Sequence, residues 1–348
     1  MSLEHLARTS TSALLEATAA RTDTISGRTS LRRTVRIRRR VRAVVAVVAL
    51  AVLGSVVAVV GAVHHHPQPV APHHPAAIIV LGADGLYAVD PASGASPLLL
   101  QLGADYEGDI VGASPDGTQV AYDSGGSPQV YDRAGALLQS LPVPAGWQSA
   151  VRWTSHGVRV ARFDVRRQLT VADVVDGHLV AQQIYRPDLP DFDPELNVLP
   201  SWSPDGTRLA VSAAALHDVR QLFVMDADGS DVRELDTHAS TGGVGQVAWS
   251  PDGRRIAFMD WSRQRAHLMV INPDGTHLID LGAVGDGIED KNVGTAIAWS
   301  PDSRSIAFLA KDLQQAGWAL YVRDPAGAVR LLPISGVVGF TIVWAAGS

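Results

Sequence analysis

WSPDGRRIAF, residues 249–258, is a phrase that this chain repeats. Residues 299–308 read WSPDSRSIAF, residues 202–211 read WSPDGTRLAV, and residues 113–122 read ASPDGTQVAY. A weaker copy, WTSHGVRVAR, runs from Trp153 to Arg162. A phrase that recurs in phase is one structural unit used several times. Its residues also have a local reading. Pro suits position i+1 of a tight turn, Asp bonds to nearby backbone, and Gly accepts a positive φ. VAW (247–249) precedes the turn and the apolar stretch IAFMD (256–260) follows it. That is a strand, a turn and a strand.

Further along, LMVIN (268–272), a second tight turn PDG (273–275) and THLIDL (276–281) supply two more strands. The unit is a four-stranded antiparallel meander. Its leading position falls at Ala113, Trp153, Trp202, Trp249, Trp299 and Trp344, with gaps of 40, 49, 47, 50 and 45 residues. Four-stranded propeller blades repeat at about 40–50 residues. The second turn recurs as DPASG (90–94), DRAG (132–135), DADG (226–229), NPDG (272–275) and DPAG (324–327). MDADGSD (225–231) carries three Asp, but its Gly229 comes too early for an EF-hand loop and falls where the blades place a hairpin turn.

TIVWAAGS at the C-terminal end reads as a first strand with nothing after it, and AAIIVLGADGLYAVDPASGASPLLL (76–100) reads as second, third and fourth strands without a first. Together they make one blade, which removes a long exposed edge. The expected fold is all-β: a six-bladed β-propeller of four-stranded blades, closed by pairing of its N- and C-terminal strands. In the copy at Trp153, Ser155 and His156 stand where the others have Pro and Asp, so a looser first turn is expected there. The leading Trp, the S-P-D-G-x-x-[IL]-A phrase and the apolar strand ending in D-x-D-G resemble the TolB-type (PD40, WD40-like) propeller repeat. The resemblance covers residues 76–348. It implies a fold rather than an activity, because such propellers serve as binding modules, as sensors and as partners of peptidase domains.

Apolar residues make up 46% of the 348 and charged residues 18%, enough apolar material for a packed core. There is no cysteine, which excludes disulfides, thiolate metal sites and a cysteine nucleophile. A propeller-bearing peptidase needs an α/β-hydrolase domain with a G-x-S-x-G elbow, and neither the motif nor residues to build that domain are present. Phosphate-loop and H-E-x-x-H motifs are missing too. The expectation is a non-enzymatic protein with no cofactor, no metal and no nucleic-acid partner.

The net charge of −6 conceals a split, with residues 1–42 at +7 and the remainder at −13. AVVAVVALAVLGSVVAVVGAV, Ala43 to Val63, holds 21 residues without a charge, about 30 Å as a helix. The run RRTVRIRRRVR (32–42) precedes it, and the positive-inside rule puts that side in the cytoplasm. The stretch is longer than a signal-peptide core, although Val60-Gly61-Ala62 resembles a cleavage site. The layout is then a basic cytoplasmic segment (1–42), a transmembrane helix (43–63), a His/Pro-rich linker (64–75) and the propeller (76–348). Arg, Ala and Val usage resembles that of a GC-rich bacterial genome, and the layout is similar to actinobacterial membrane-tethered propellers. The expected location is the bacterial cytoplasmic membrane, single-pass, with the propeller outside. HHHPQPVAPHHP (64–75) holds five of the twelve histidines and reads as a semi-rigid linker.

In a four-stranded meander the first-to-second and third-to-fourth turns share one face of the ring. The longer loops therefore share the other: 185–197, 238–246, 260–267, 282–292 and 310–318. Function concentrates on loops held by a rigid scaffold. The candidate partner-binding residues there are Arg186, Asp191, Asp193, Trp261, Arg263, Arg265, Glu289, Asp290 and Trp318, with Trp and Arg as the usual interface anchors. The expected role is recognition of a protein or cell-envelope component. One alternative is a transmembrane regulator with a layout similar to membrane-bound anti-sigma factors, coupling outer binding to a cytoplasmic partner of residues 1–42. Another is a hydrolase or lyase with a site in the propeller funnel.

Overall fold

The computed structural model describes residues 76–347 apart from the segments 83, 102–107, 124–126, 144–147, 165, 190–199, 215–218, 239–242, 262–264, 285–295 and 313–316. The expected spans 1–42 and 43–63 and the linker 64–75 lie outside the described residues. Among those described, no helix is long and apolar enough to cross a membrane.

The chain enters through β1 (Ala77–Gly82), β2 (Gly85–Val89) and β3 (Leu98–Gln101). Four complete meanders follow. The first blade is β4 (Asp109–Ala113), β5 (Gln119–Asp123), β6 (Gln129–Asp132) and β7 (Leu137–Ser140). The second is β8 (Gln148–Thr154), β9 (Gly157–Phe163), β10 (Leu169–Val175) and β11 (His178–Tyr185). The third is β12 (Pro200–Trp202), β13 (Arg208–Ala214), β14 (Arg220–Asp226) and β15 (Arg233–Leu235). The fourth is β16 (Val244–Trp249), β17 (Ile256–Asp260), β18 (Ala266–Ile271) and β19 (Ile279–Val284). The remaining strands are β20 (Ile297–Trp299), β21 (Ile306–Asp312), β22 (Gly317–Arg323) and the 17-residue β23 (Val329–Ala345).

These last strands form one seven-stranded sheet in the order β20-β21-β22-β23-β1-β2-β3. It is two blades sharing a strand. The start of β23 pairs with β22, Val329 opposite Arg323, and completes the fifth blade. Its end pairs with β1, Trp344 opposite Ile78 and Ala345 opposite Ala77, and opens the sixth. The ring therefore closes between the two ends of the propeller sequence, as expected.

Alternation explains the packing. Successive strand residues point to opposite faces, and here both faces are covered by a neighbouring blade. On β17, Ile256 and Phe258 pack toward the third blade, while Ala257 and Met259 pack toward the fifth. Six apolar clusters result, one at each junction between neighbouring blades, including the junction between the sixth and the first. Fully burying a side chain such as Phe258 or Phe308 contributes about 1.5–3 kcal/mol. Burial fades outward, and β11 is exposed along almost its whole length.

The turn at Ser155-His156 corrects the expectation. It is tighter than its counterparts, because Thr154 pairs directly with Gly157. Without Pro and Asp to start the longer turn, the strands stay paired and close in two residues.

Candidate functional site: the central channel and its two ends

The inner strand of every blade faces a central channel with a cavity of about 480 Å³. Its walls are β4, β8, β12, β16, β20 and the last residues of β23. Four of the inner strands run toward an S-P-D turn and that of the second blade toward Ser155-His156, so one end of the channel is a turn face. The other end, where inner strands begin and blades connect, is the loop face.

The turn face is a repeated hydrogen-bond device. Ser114, Ser203, Ser250 and Ser300 each donate Oγ–H to the Asp two residues on, at 2.5–2.6 Å. The same Oγ accepts the backbone N–H five residues on, at 2.8–2.9 Å. The Ser203 and Thr207 bonds pull Asp205 down to about 2. Asp302 is lowered mainly by Ser300. At Asp116 and Asp252 burial pushes upward, and the Ser and backbone bonds outweigh it. Gly117, Gly206 and Gly253 take φ of +66°, +71° and +74°, which L side chains avoid. Ser303 holds that conformation at +60° in the fifth blade and accepts the Asp252 N–H at 2.9 Å.

The leading Trp residues tie blade to blade. Trp202 donates its indole N–H to the Ala150 carbonyl at 3.1 Å, and Trp299 to that of Ala248 at 3.0 Å. Arg208 stacks on Trp249 with its guanidinium carbon 4.9 Å from the ring centre, and Arg255 on Trp299 at 4.6 Å. The motif that announced the fold is thus mostly consumed in holding it.

The loop face is different. At the start of the inner strands of the sixth, first and second blades lies a polar group that repeat analysis missed. The Arg162 guanidinium is 3.5 Å from Asp123, and both side chains are nearly inaccessible, at 3% and 7%. Ser149 donates to the same Asp123 oxygen at 2.9 Å. Thr341 accepts the Ile110 N–H at 2.8 Å and reaches Asp109 at 3.3 Å. Burial pushes the Asp109 carboxyl above its ordinary value, Thr341 opposes this, and the Asp123 charge adds to it. Burial likewise pulls the Arg162 guanidinium down, against Asp123. A charged sector therefore sits at one end of a largely apolar channel. Part of the signal was present in the sequence: pairing aligns Asp123 with Met259 and Ser212, and Arg162 with Ala213 and the buried Asp260.

The sequence candidates divide. Arg186, just after β11, and Arg265, just before β18, are exposed on the loop face. Trp261 corrects the expectation of a loop anchor. It is 7% exposed and packed among Met259, Leu268 and Phe308, and its backbone N–H bonds to Gly243 at 2.9 Å. Trp318 lies on β22 opposite Lys311 and rests half-buried on the apolar cluster between the fifth and sixth blades. An aromatic ring at a strand end follows the core rather than the loop. Asp191, Asp193, Arg263, Glu289 and Asp290 lie outside the described residues. Asp228 accepts from the backbone N–H and hydroxyl of Ser230, at 3.0 and 2.5 Å, which makes DADG a hairpin turn. Among the described residues, no three His, Asp or Glu side chains are grouped to hold a metal ion.

Solved structures share this architecture. TolB from Acinetobacter baumannii superposes with a TM-score of 0.57 at 13% identity, over 78% of this chain and 67% of that one. A putative TolB from Agrobacterium tumefaciens gives 0.52 at 16% identity, over 75% and 89%. The fold is that of a TolB-like six-bladed propeller. A protein of unknown function from Bacteroides caccae gives 0.54 at 12% identity, over 78% and 99%. No family model matches the chain. Among curated proteins, an uncharacterized peptidase of Bacillus subtilis is 40% identical over 57 residues, 16% of this chain and 8% of that protein's length. So short a match spans about one blade.

Proposed function

We propose that this chain is a membrane-anchored, non-enzymatic binding module whose propeller lies outside a bacterial cytoplasmic membrane and recognises a protein or cell-envelope component at its loop face. The observation that carries this reading is the contrast between the channel's two ends. On the turn face the serines, the aspartates and most of the indoles bond within the fold. The loop face surrounds a channel mouth with a buried charged sector and displays Arg186 and Arg265. A rigid ring that spends one face on itself presents the other. Asp191, Asp193, Arg263, Glu289 and Asp290 extend that surface in this reading. Ala43–Val63 is the anchor, with residues 1–42 on the cytoplasmic side.

The test is a crosslinking pull-down from native membranes. The full chain is compared with a chain lacking residues 1–40 and with an Arg186→Glu/Arg265→Glu chain. Capture of the same envelope component by the first two, and its loss from the third, supports the reading. A cytoplasmic protein captured only by the full chain would instead establish a regulator acting through residues 1–42. Capture that the double reversal leaves intact would remove the loop face from the proposal.

A further inference from the structure

One arginine stands where every other blade has an apolar or aromatic side chain. In each blade the leading residue pairs with a residue of the second strand, and that residue pairs with one of the third. In the fifth blade these are Trp299, Ile306 and Arg323. In the other five blades the third residue is Val89, Tyr131, Val174, Met225 or Ile271. Each of those five packs into the junction with the blade before it. Arg323 therefore puts a cation into the corresponding junction, between the fourth and fifth blades.

A second, independent observation is the space around it. Arg255, Arg304 and Arg323 line a cavity of about 300 Å³ at the turn end of that junction, and none of the described residues lining it is a carboxylate. Two of the three arginines have an aspartate nearby. Arg255 is 3.9 Å from Asp252. Ser300 first, and then the Arg304 backbone and charge, hold the Asp302 carboxyl below its ordinary value. Arg323 has no ion-pair partner among the described residues, and its Nε is buried without a hydrogen-bond acceptor. A buried charged donor left unmet destabilises a fold. The facing wall is apolar, made by Val270, Ile279 and Leu281 of the fourth blade, and Ile279 is left half exposed.

We infer that this cavity binds a carboxylate carried on an aliphatic body, with Arg323 as its anchor. The Nε and one Nη of a guanidinium present two parallel donors, which match the two oxygens of a carboxylate. A single uncompensated cation suits a monoanion. The apolar wall receives the body, and a cavity at the small end of the ligand-binding range suits a short one. A peptide C-terminus ending in an aliphatic residue and a free aliphatic acid both supply this chemistry. The site is built on outer strands, between two blades, and uses no loop-face residue. It stands or falls separately from the binding surface proposed there.

Isothermal titration of the full chain tests this with 4-methylpentanoate, N-acetylleucine, N-acetylleucinamide, acetate and dibutyl phosphate. Both aliphatic acids should bind, with the neutral amide and acetate at least about tenfold weaker. N-acetylleucine binding tighter than 4-methylpentanoate supports the site with a chain terminus as the source. The reverse order supports it with a free acid. Arg323→Met installs the residue of the third blade. It should melt no lower than the parent and bind the acids at least about tenfold more weakly. Arg304→Ala alters an exposed side chain, so it holds the inference to account even if Arg323→Met folds poorly. It should weaken the acids about twofold to fivefold and leave the amide unchanged. No acid binding at millimolar concentration, equal affinity for acid and amide, or acid binding unchanged by either substitution overturns the inference. Tightest binding by dibutyl phosphate also overturns it, by making this a phosphate site.

Discussion

The two ends of the channel treat the same side chain in opposite ways. On the turn face an aspartate is the acceptor of a short local network, and its carboxyl is held below its ordinary value, to about 2 at Asp205. On the loop face Asp109 is withdrawn from water beside a second carboxylate, and its carboxyl is pushed up. A carboxylate that stabilises a turn contributes to folding when ionised. One that is crowded and desolvated opposes folding when ionised. The difference separates residues that build the ring from residues that the ring holds under tension for another use.

Five substitutions would break or sharpen that contrast. Asp123→Ala has the largest expected effect, because it leaves Arg162 as a buried charge without its carboxylate; loss of about 3–5 kcal/mol is expected in urea unfolding. On the turn face, Asp252→Ala removes bonds to Ser250 and to the Arg254 N–H. It should cost about 1 kcal/mol, and a larger loss would mean that the two ends are equally strained. Arg255→Ala removes the guanidinium from Trp299, and about 0.5–1 kcal/mol is expected.

The smallest effect is the most diagnostic. Asp205 is lowered, so its contribution is present above the unfolded value near 4 and fades as pH falls toward 2. Asp109 is raised, so its contribution is present at low pH and is lost as pH rises through its folded value. Asp205→Asn should therefore flatten the acid limb of a melting-temperature profile. Asp109→Asn should raise the melting temperature near neutrality and leave the acid limb steep. Equal profiles for the two variants would contradict the contrast.

The fold was legible because the turn residues cannot be exchanged freely. Asp-Gly and Pro-Asp mark places where the backbone needs a particular φ, and Trp marks the strand end, so blade phase could be counted. Closure was legible because the unmatched strands at 76–100 and 341–345 complete each other. Trp261 was misread for a physical reason: it stands at the boundary between strand and loop, and sequence does not show which way such a ring turns. The Asp109, Asp123, Arg162, Ser149 and Thr341 group is assembled from three blades, including one that spans both ends of the ring. No local window contains it. Its trace was Asp123 standing where the fourth blade has Met259 and Arg162 where the third has Ala213, which an alignment of blades by their pairing brings out, although Ser212 and Asp260 hold the same two places in the third and fourth blades.

β23 has a consequence in time. β1 finds its partner only at residues 341–345, with Ala77 and its opposite number Ala345 separated by 268 positions. A ribosome adding about 5–20 residues each second holds β1 without its inner neighbour for many seconds while four whole meanders form. During that interval the sixth blade is three strands with an open inner edge, able to pair with another chain. Its assembly therefore depends on protection of the nascent chain as much as on the stability of the finished ring.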